Sequence, residues 1–215
     1  MNNLLLIWGA GGHGKVVLDV ARSTGRFEHI VFLDDDFGRG GLTFCDCPLI
    51  KGLEELPGSV GIAFLVAVGD NHDRARCFRR ALENGLSPTA LIHTTAVIAP
   101  SASIGRGTVV MPGVIVNAGA VIGENCIINS GAIVEHDCRI DANAHISPRA
   151  VLGGRVCVGA LAHVGIGAVV LPGAKVGEES LVGAGAVVLK EAQSRRTVVG
   201  VPAKLLAVRV AATQK

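Results

Sequence analysis

Every sixth residue from Ile92 to Val188 is Ile, Leu or Val, without a break. Four residues after each of these sits a small one in most repeats, such as Ala96, Thr108, Cys126, Cys138 and Ser180. A six-residue period sustained over such a length indicates a parallel β-helix. A short strand and a corner use one period, and three periods close a triangular coil. The aliphatic residue points inward and stacks on its equivalent one coil later, roughly 4.8 Å away. Positions 98–187 fill five full coils of this kind. The small residue is expected to let the chain turn without a clash. Aromatic residues stop at Phe78, so the core of this half must be aliphatic.

The remaining composition narrows the field. With 49% hydrophobic and 18% charged residues the chain is folded rather than disordered. No apolar run approaches the roughly 18 residues that a membrane span needs. Leu4 to Trp8 is too short for a secretory h-region, so a cytoplasmic location is expected. The six cysteines form no C-x-x-C pair and read as reduced thiols. Cys126 and Cys138, in the small-residue slot, read as corner packing. A net charge of +2 without a basic block, and no aromatics for base stacking beyond Phe78, argue against nucleic acid.

The first 88 residues have a different grammar. LLLIW (residues 4–8) reads as a buried strand, followed by Gly9-Ala10-Gly11-Gly12-His13-Gly14 and a helix from about Lys15 to Thr24. Strands over Ile30–Leu33 and Ile62–Val68 follow, the first ending in Asp34-Asp35-Asp36, the second in Gly69-Asp70-Asn71. A second helix is expected over about Asp73–Asn84. This alternation implies a parallel sheet of about three strands in a half-Rossmann unit. Gly9, Gly11 and Gly14 satisfy G-x-G-x-x-G, and Asp34 lies twenty residues past Gly14. An NAD-dependent oxidoreductase is the formal reading, but three strands are half of a dinucleotide site. Backbone N–H groups at a helix N-terminus accept any diphosphate, which suits a nucleotide-linked sugar. His29 and His72 read as surface histidines, and residues 38–60 carry no legible pattern.

Taken together, GAGGHG (9–14), Leu33-Asp34-Asp35, VAVGDN (66–71), NSGAIVEHD (129–137), His145 and GVPAK (200–204) resemble the sugar-nucleotide N-acetyltransferases of the bacillosamine, perosamine and viosamine pathways, a group that includes sialic-acid-associated O-acetyltransferase-like proteins. The resemblance covers nearly the whole chain. It implies an N-terminal nucleotide-sugar-binding domain (1–88), a left-handed parallel β-helix of hexapeptide repeats (89–192) and a C-terminal tail (193–215). It also implies a homotrimer that acetylates a nucleotide-linked amino sugar with acetyl-CoA as cosubstrate and no metal, O-acetylation being the alternative. His136 matches the general base and Asp137 the acid that orients it, with Glu135 as the other candidate for that role. Asn129 matches a residue near the acceptor amine, and His145 one at the acetyl-CoA thioester. Gly154, Ile166 and Ala184 fall along the cofactor. Gly11, Gly12, His13, Gly14, Asp34, Asp35, Gly69 and Asn71 fall on the nucleotide sugar.

The residues themselves point the same way. Glu135-His136-Asp137-Cys138-Arg139 is the one dense polar cluster in a repeat of small residues. Acetyl transfer to an amine needs a base and a donor for the thioester oxyanion, which corner N–H groups can supply. A zinc hydratase like the γ-class carbonic anhydrases would use His136, His145 and His163, but the close histidine pair of that class is absent. A non-catalytic β-helix scaffold would require neither the glycine loop nor His136.

Overall fold

The computed structural model describes residues 4–35, 43–56 and 61–206. Asp36 and parts of the 38–60 segment lie outside the described residues. The N-terminal unit runs β1 (Leu4–Trp8), α1 (Gly12–Thr24), β2 (His29–Leu33), β3 (Thr43–Phe44), β4 (Cys47–Ile50), β5 (Ala63–Val66), α2 (Asn71–Glu83) and β6 (Ser87–Pro88). Its sheet is ordered β3-β4-β2-β1-β5-β6, parallel except for the β3–β4 hairpin. The expectation of about three strands is too low. β4 extends the parallel sheet beyond β2 despite carrying Pro48, and Cys45 and Asp46 turn the hairpin at φ 50° and 62°. Both helices start earlier than expected. Gly11 is the N-cap of α1, and Asp70 caps α2 by accepting from the N–H groups of His72 and Asp73 at 2.9 Å.

From Leu91 on, two-residue strands stack into three parallel faces. Face one runs from Leu91–Ile92 to Thr197–Val199, face two from Val97–Ile98 to Val187–Val188, and face three from Ser103–Ile104 to Glu191–Ala192. Successive rungs are eighteen residues apart, as in Val109 opposite Ile127 and His145 opposite His163. The coil therefore exceeds the five turns that the hexads imply. The last rungs are only sixteen residues apart (Lys175 opposite Glu191, Leu181 opposite Thr197), so the hexad ends while the solenoid continues. Thr197–Val199 thus belongs to face one, past residue 192, and Lys204–Leu205 folds back antiparallel on it.

The corners turn by a device one residue away from the expected one. Every sixth residue from Gly107 to Gly185 has φ between 54° and 74°. This left-handed conformation is cheapest for Gly and then for Asn and Asp, and Gly107, Gly119, Asn125, Asp137 and Asn143 occupy it. The small residue that follows faces inward. Cys126 and Cys138 are buried there, with their thiols on the carbonyls of Asp141 and Gly153, each at 3.2 Å. Burial pushes the Cys126 thiol up to about 11, so the corner-packing reading holds.

One stripe of α2 docks the two units. Phe78 packs where a Cβ on Gly107 would sit. Arg74 donates to the carbonyls of Asn125 (2.9 Å) and Asn143 (2.7 Å), and Asn71 Nδ2 donates to the carbonyl of Leu161 (2.8 Å). Residues 78, 74 and 71 lie on one helix face, and 107, 125, 143 and 161 are successive rungs of one corner. Arg74 is 1% exposed and also donates to the carbonyls of Val68, Gly69 and Asp70, so it ties the β5–α2 loop to the β-helix. Beside this corner, the outward side of face one carries His145 and, one coil on, His163.

Candidate active site

The glycine loop divides its labour. A Cβ on Gly9 (φ 118°) would meet the Ala67 carbonyl at 2.8 Å, and one on Gly14 would overlap the Gly9 carbonyl. These two glycines let β1, β5 and α1 approach. Gly11 and Gly12 have nothing within 4 Å of an added Cβ and are exposed. Their N–H groups, at the start of α1, are open to an anion. Asp34 holds the loop by accepting from Ala10 N–H at 2.7 Å. A cleft of about 470 Å³ opens beside it, at the carboxyl ends of β1, β2 and β5, lined by Trp8, Gly9, Asp34, Asp35, Val68 and residues of α2. Asp35 pairs with Arg80 at 2.6 Å, and the Arg80 guanidinium lies 5.1 Å over the Trp8 ring. Trp8 and Arg80 are cleft walls that the sequence reading missed.

His13 does not join that cleft. Its Nε2 is buried, and burial, with the Arg74 charge nearby, pushes it down to about 4. The His145 ring is pushed down to about 3, first by burial and then by His163, Arg74 and His13. Asn129 Nδ2 contacts His145 Nε2 at 3.1 Å. Gly69 and Asn71 serve the docking. Asn71 is buried with both ends of its amide engaged, the Oδ1 by Arg74 at 2.7 Å. Arg74 gave no sequence signal, since only the fold shows which carbonyls it meets. His29 and His72 are exposed, as expected.

His136 and Asp137 occupy a different corner, between faces two and three. His136 Nδ1 donates to Asp137 Oδ2 at 2.9 Å, since a carboxylate only accepts. That fixes the tautomer and leaves Nε2 as the lone-pair nitrogen. Glu135 makes no bond to the imidazole, so Asp137 is the orienting acid. Asp137 is a left-handed corner residue at φ 59°, and its carboxylate lies over Gly119, one coil below. One coil above, Gly154 lies against the ring, and a Cβ there would overlap His136 Nε2. Ile166, 60% exposed, and Ala184 stack one coil apart on the corner between faces one and two. The structure therefore brings together His136, Asp137 and Gly154 on one corner. It places Asn129, His145, Ile166 and Ala184 on another side of the same prism.

A hexapeptide β-helix that follows an α/β unit with a glycine loop and carries an outward histidine–aspartate pair defines an acyltransferase of the hexapeptide-repeat class. Residues 4–81 match the family described as PglD N-terminal domain, and residues 101–136 and 119–154 match the bacterial transferase hexapeptide (six repeats). The acetyltransferase domain of PglB from Neisseria gonorrhoeae is 39% identical, with a TM-score of 0.89 over 95% of this chain and 100% of that one. A histidine-to-asparagine mutant of perosamine N-acetyltransferase from Caulobacter crescentus, solved with CoA and GDP-perosamine, is 38% identical, with a TM-score of 0.86 over 94% of this chain and 96% of that one. WeeI from Acinetobacter baumannii is 28% identical, with a TM-score of 0.87 over 94% and 99%. The chain belongs to the sugar-nucleotide N-acetyltransferases of the bacillosamine, perosamine and viosamine type.

Proposed function

We propose that His136 of one chain and the Asn129–His145 side of a neighbouring chain together form the acetyl-transfer centre. The enzyme moves the acetyl group of acetyl-CoA to the amine of a nucleotide-linked amino sugar; we take the sugar to be a 4-amino-4,6-dideoxy hexose destined for a surface glycan or glycoprotein. The observation that carries the reading is the free Nε2 of His136, oriented by Asp137 through Nδ1. The amine attacks the thioester carbonyl, a C–N bond forms, and the amine proton passes to Nε2. The C–S bond then breaks and CoA leaves as its thiolate, which the imidazolium can reprotonate. Asp137 supports the imidazolium charge.

The nucleoside occupies the cleft beside Trp8 and Asp35, and the diphosphate the Gly11–Gly12 N–H groups. Gly154 on one chain, with Ile166 and Ala184 on the next, borders the pantetheine arm, and His145 borders its acyl end. Two chains are needed because His136 and His145 sit half a coil apart, on different sides of the helix. The outward residues of face two supply the contact: Val97, Ile115, Ile133, Val151, Val169 and Val187 are all β-branched aliphatics. Face three instead mixes Ser103, Arg139, Lys175 and Glu191 with Val121 and Cys157 on its outward side. An apolar stripe of this kind supports a closed threefold trimer. Among the described residues no helix is long and apolar enough to cross a membrane, and we place the enzyme in the cytoplasm, where acetyl-CoA is made. CoA release on incubation with acetyl-CoA and UDP-, GDP- or dTDP-linked 4-amino sugars tests the reaction. Sedimentation at the 22.0 kDa of one chain, or no release with any of the three, would overturn it.

A further inference from the structure

The Asn129–His145 pair has a twin one coil on that the reaction leaves unassigned. Ser147 follows Asn129 by eighteen residues, His163 follows His145 by eighteen, and the polar contact repeats. Ser147 Oγ lies 2.8 Å from His163 Nε2. The two imidazoles are direct partners in the face-one ladder and stack with centroids 4.5 Å apart and planes 18° apart. Ser147 with His163 has the spacing of a nucleophile and its base. Ser147 is 2% exposed, however, and no acyl carbon can reach it. What the pair does, it does through His145.

The direction of the bonds shows how. Asn129 Oδ1 accepts from Ser130 N–H at 2.8 Å, which turns its Nδ2 toward His145. His145 Nε2 is therefore the acceptor, and its proton is on Nδ1, which is buried. The ring can act on a ligand only by holding Asn129, whose second Nδ2–H remains. Burial lowers both imidazoles from their ordinary value, and a charged His145 would have no lone pair for Asn129.

We infer that His163 is a positioning residue: its ring, stacked on His145, fixes the plane of that imidazole, whose Nε2 locks the Asn129 amide and aims its free N–H at the acceptor sugar. The aim rests on the placement of Asn129 in the acetyl-transfer centre, while the lock does not.

His163→Ala removes the stack, and His163→Phe restores a ring without the bond to Ser147. A two-bond ¹H–¹⁵N spectrum of the imidazoles reads the His145 tautomer without substrate. His163→Ala should convert a single Nδ1–H pattern into a mixed one and lower kcat about 3- to 10-fold, the scale of a stacked-ring contact, with KM for acetyl-CoA and the sedimentation of the protein unchanged. His163→Phe should recover both the pattern and most of kcat. An unchanged tautomer and kcat in His163→Ala, or equal losses in the Ala and Phe variants, would overturn the inference. A wild-type protein inactive on every amino-sugar nucleotide counts against the reaction instead, and the tautomer pattern still decides the rung.

Discussion

Asp137 accepts the Nδ1 proton of His136 at 2.9 Å, from the left-handed corner position that every coil must provide. The same backbone rule that closes the helix thus puts the carboxylate beside the imidazole. Because the proton is committed to Nδ1, Nε2 keeps its lone pair, which is the tautomer that the proposed base role requires.

Replacing His136 by Asn should therefore keep assembly and both ligands while lowering turnover roughly 10²- to 10⁴-fold, the share of a positioned general base. Asp137→Ala should cost less, since the acceptor nitrogen stays and only its orientation and charge support are lost. Steady-state rates with saturating amino-sugar nucleotide measure both. Near-normal turnover in His136→Asn would remove it from the base role.

Gly154 provides a second route to the same loss. A methyl group there must displace the imidazole, because the added Cβ falls on Nε2. Gly154→Ala should lower kcat at least about tenfold, and Gly154→Ala combined with His136→Asn should be little worse than His136→Asn alone, as expected for residues acting as one unit. Additive losses would mean that Gly154 acts elsewhere, for example on the cofactor alone.

The open glycines of the loop make a binding prediction. Gly11→Val finds space in the free protein but covers the N–H groups at the start of α1. Thermal shift by the amino-sugar nucleotide should fall, and that by acetyl-CoA should persist. Stabilisation by NAD in place of the sugar nucleotide would instead favour the oxidoreductase reading.

Acid should unfold this protein through His13 and His145. An unfolded histidine binds a proton below about 6.5, whereas the folded chain holds His13 near 4 and His145 near 3. Between those values the unfolded state carries more protons, so stability is full above about 6.5 and falls as pH drops toward 4 and then 3. At pH 5 each ring should cost up to about 2 kcal/mol relative to pH 7.5. Urea midpoints at the two pH values measure the loss, and equal midpoints would show that these rings titrate normally in the folded protein.

The solenoid was legible because its signal is local: each aliphatic residue repeats six residues later and meets its partner eighteen residues away, whatever the rest of the chain does. The glycine loop was legible for the same reason. Glu135 and Asp137 could not be ranked from sequence, since both flank His136, and only the left-handed corner turns one of them back to the ring. Asn71 and His13 looked like ligand contacts by motif, but the fold turns one to the Leu161 carbonyl and buries the Nε2 of the other. β4 was hidden because Cys47–Ile50 has neither the alternation nor the length that marks a strand, and its partner β2 fixes it from a distance.

The stripe of α2 that spans Gly107, Asn125, Asn143 and Leu161 measures the β-helix along its axis. A coil inserted or deleted between residues 107 and 161 would put Arg74 and Asn71 out of step with their carbonyls. A coil added beyond 161 would leave them untouched, so the solenoid is free to vary in length only toward its C-terminal end. The same measure orders events during synthesis. The N-terminal unit is made first, yet its docking helix has no finished seat until residue 161 has left the ribosome and wound into place.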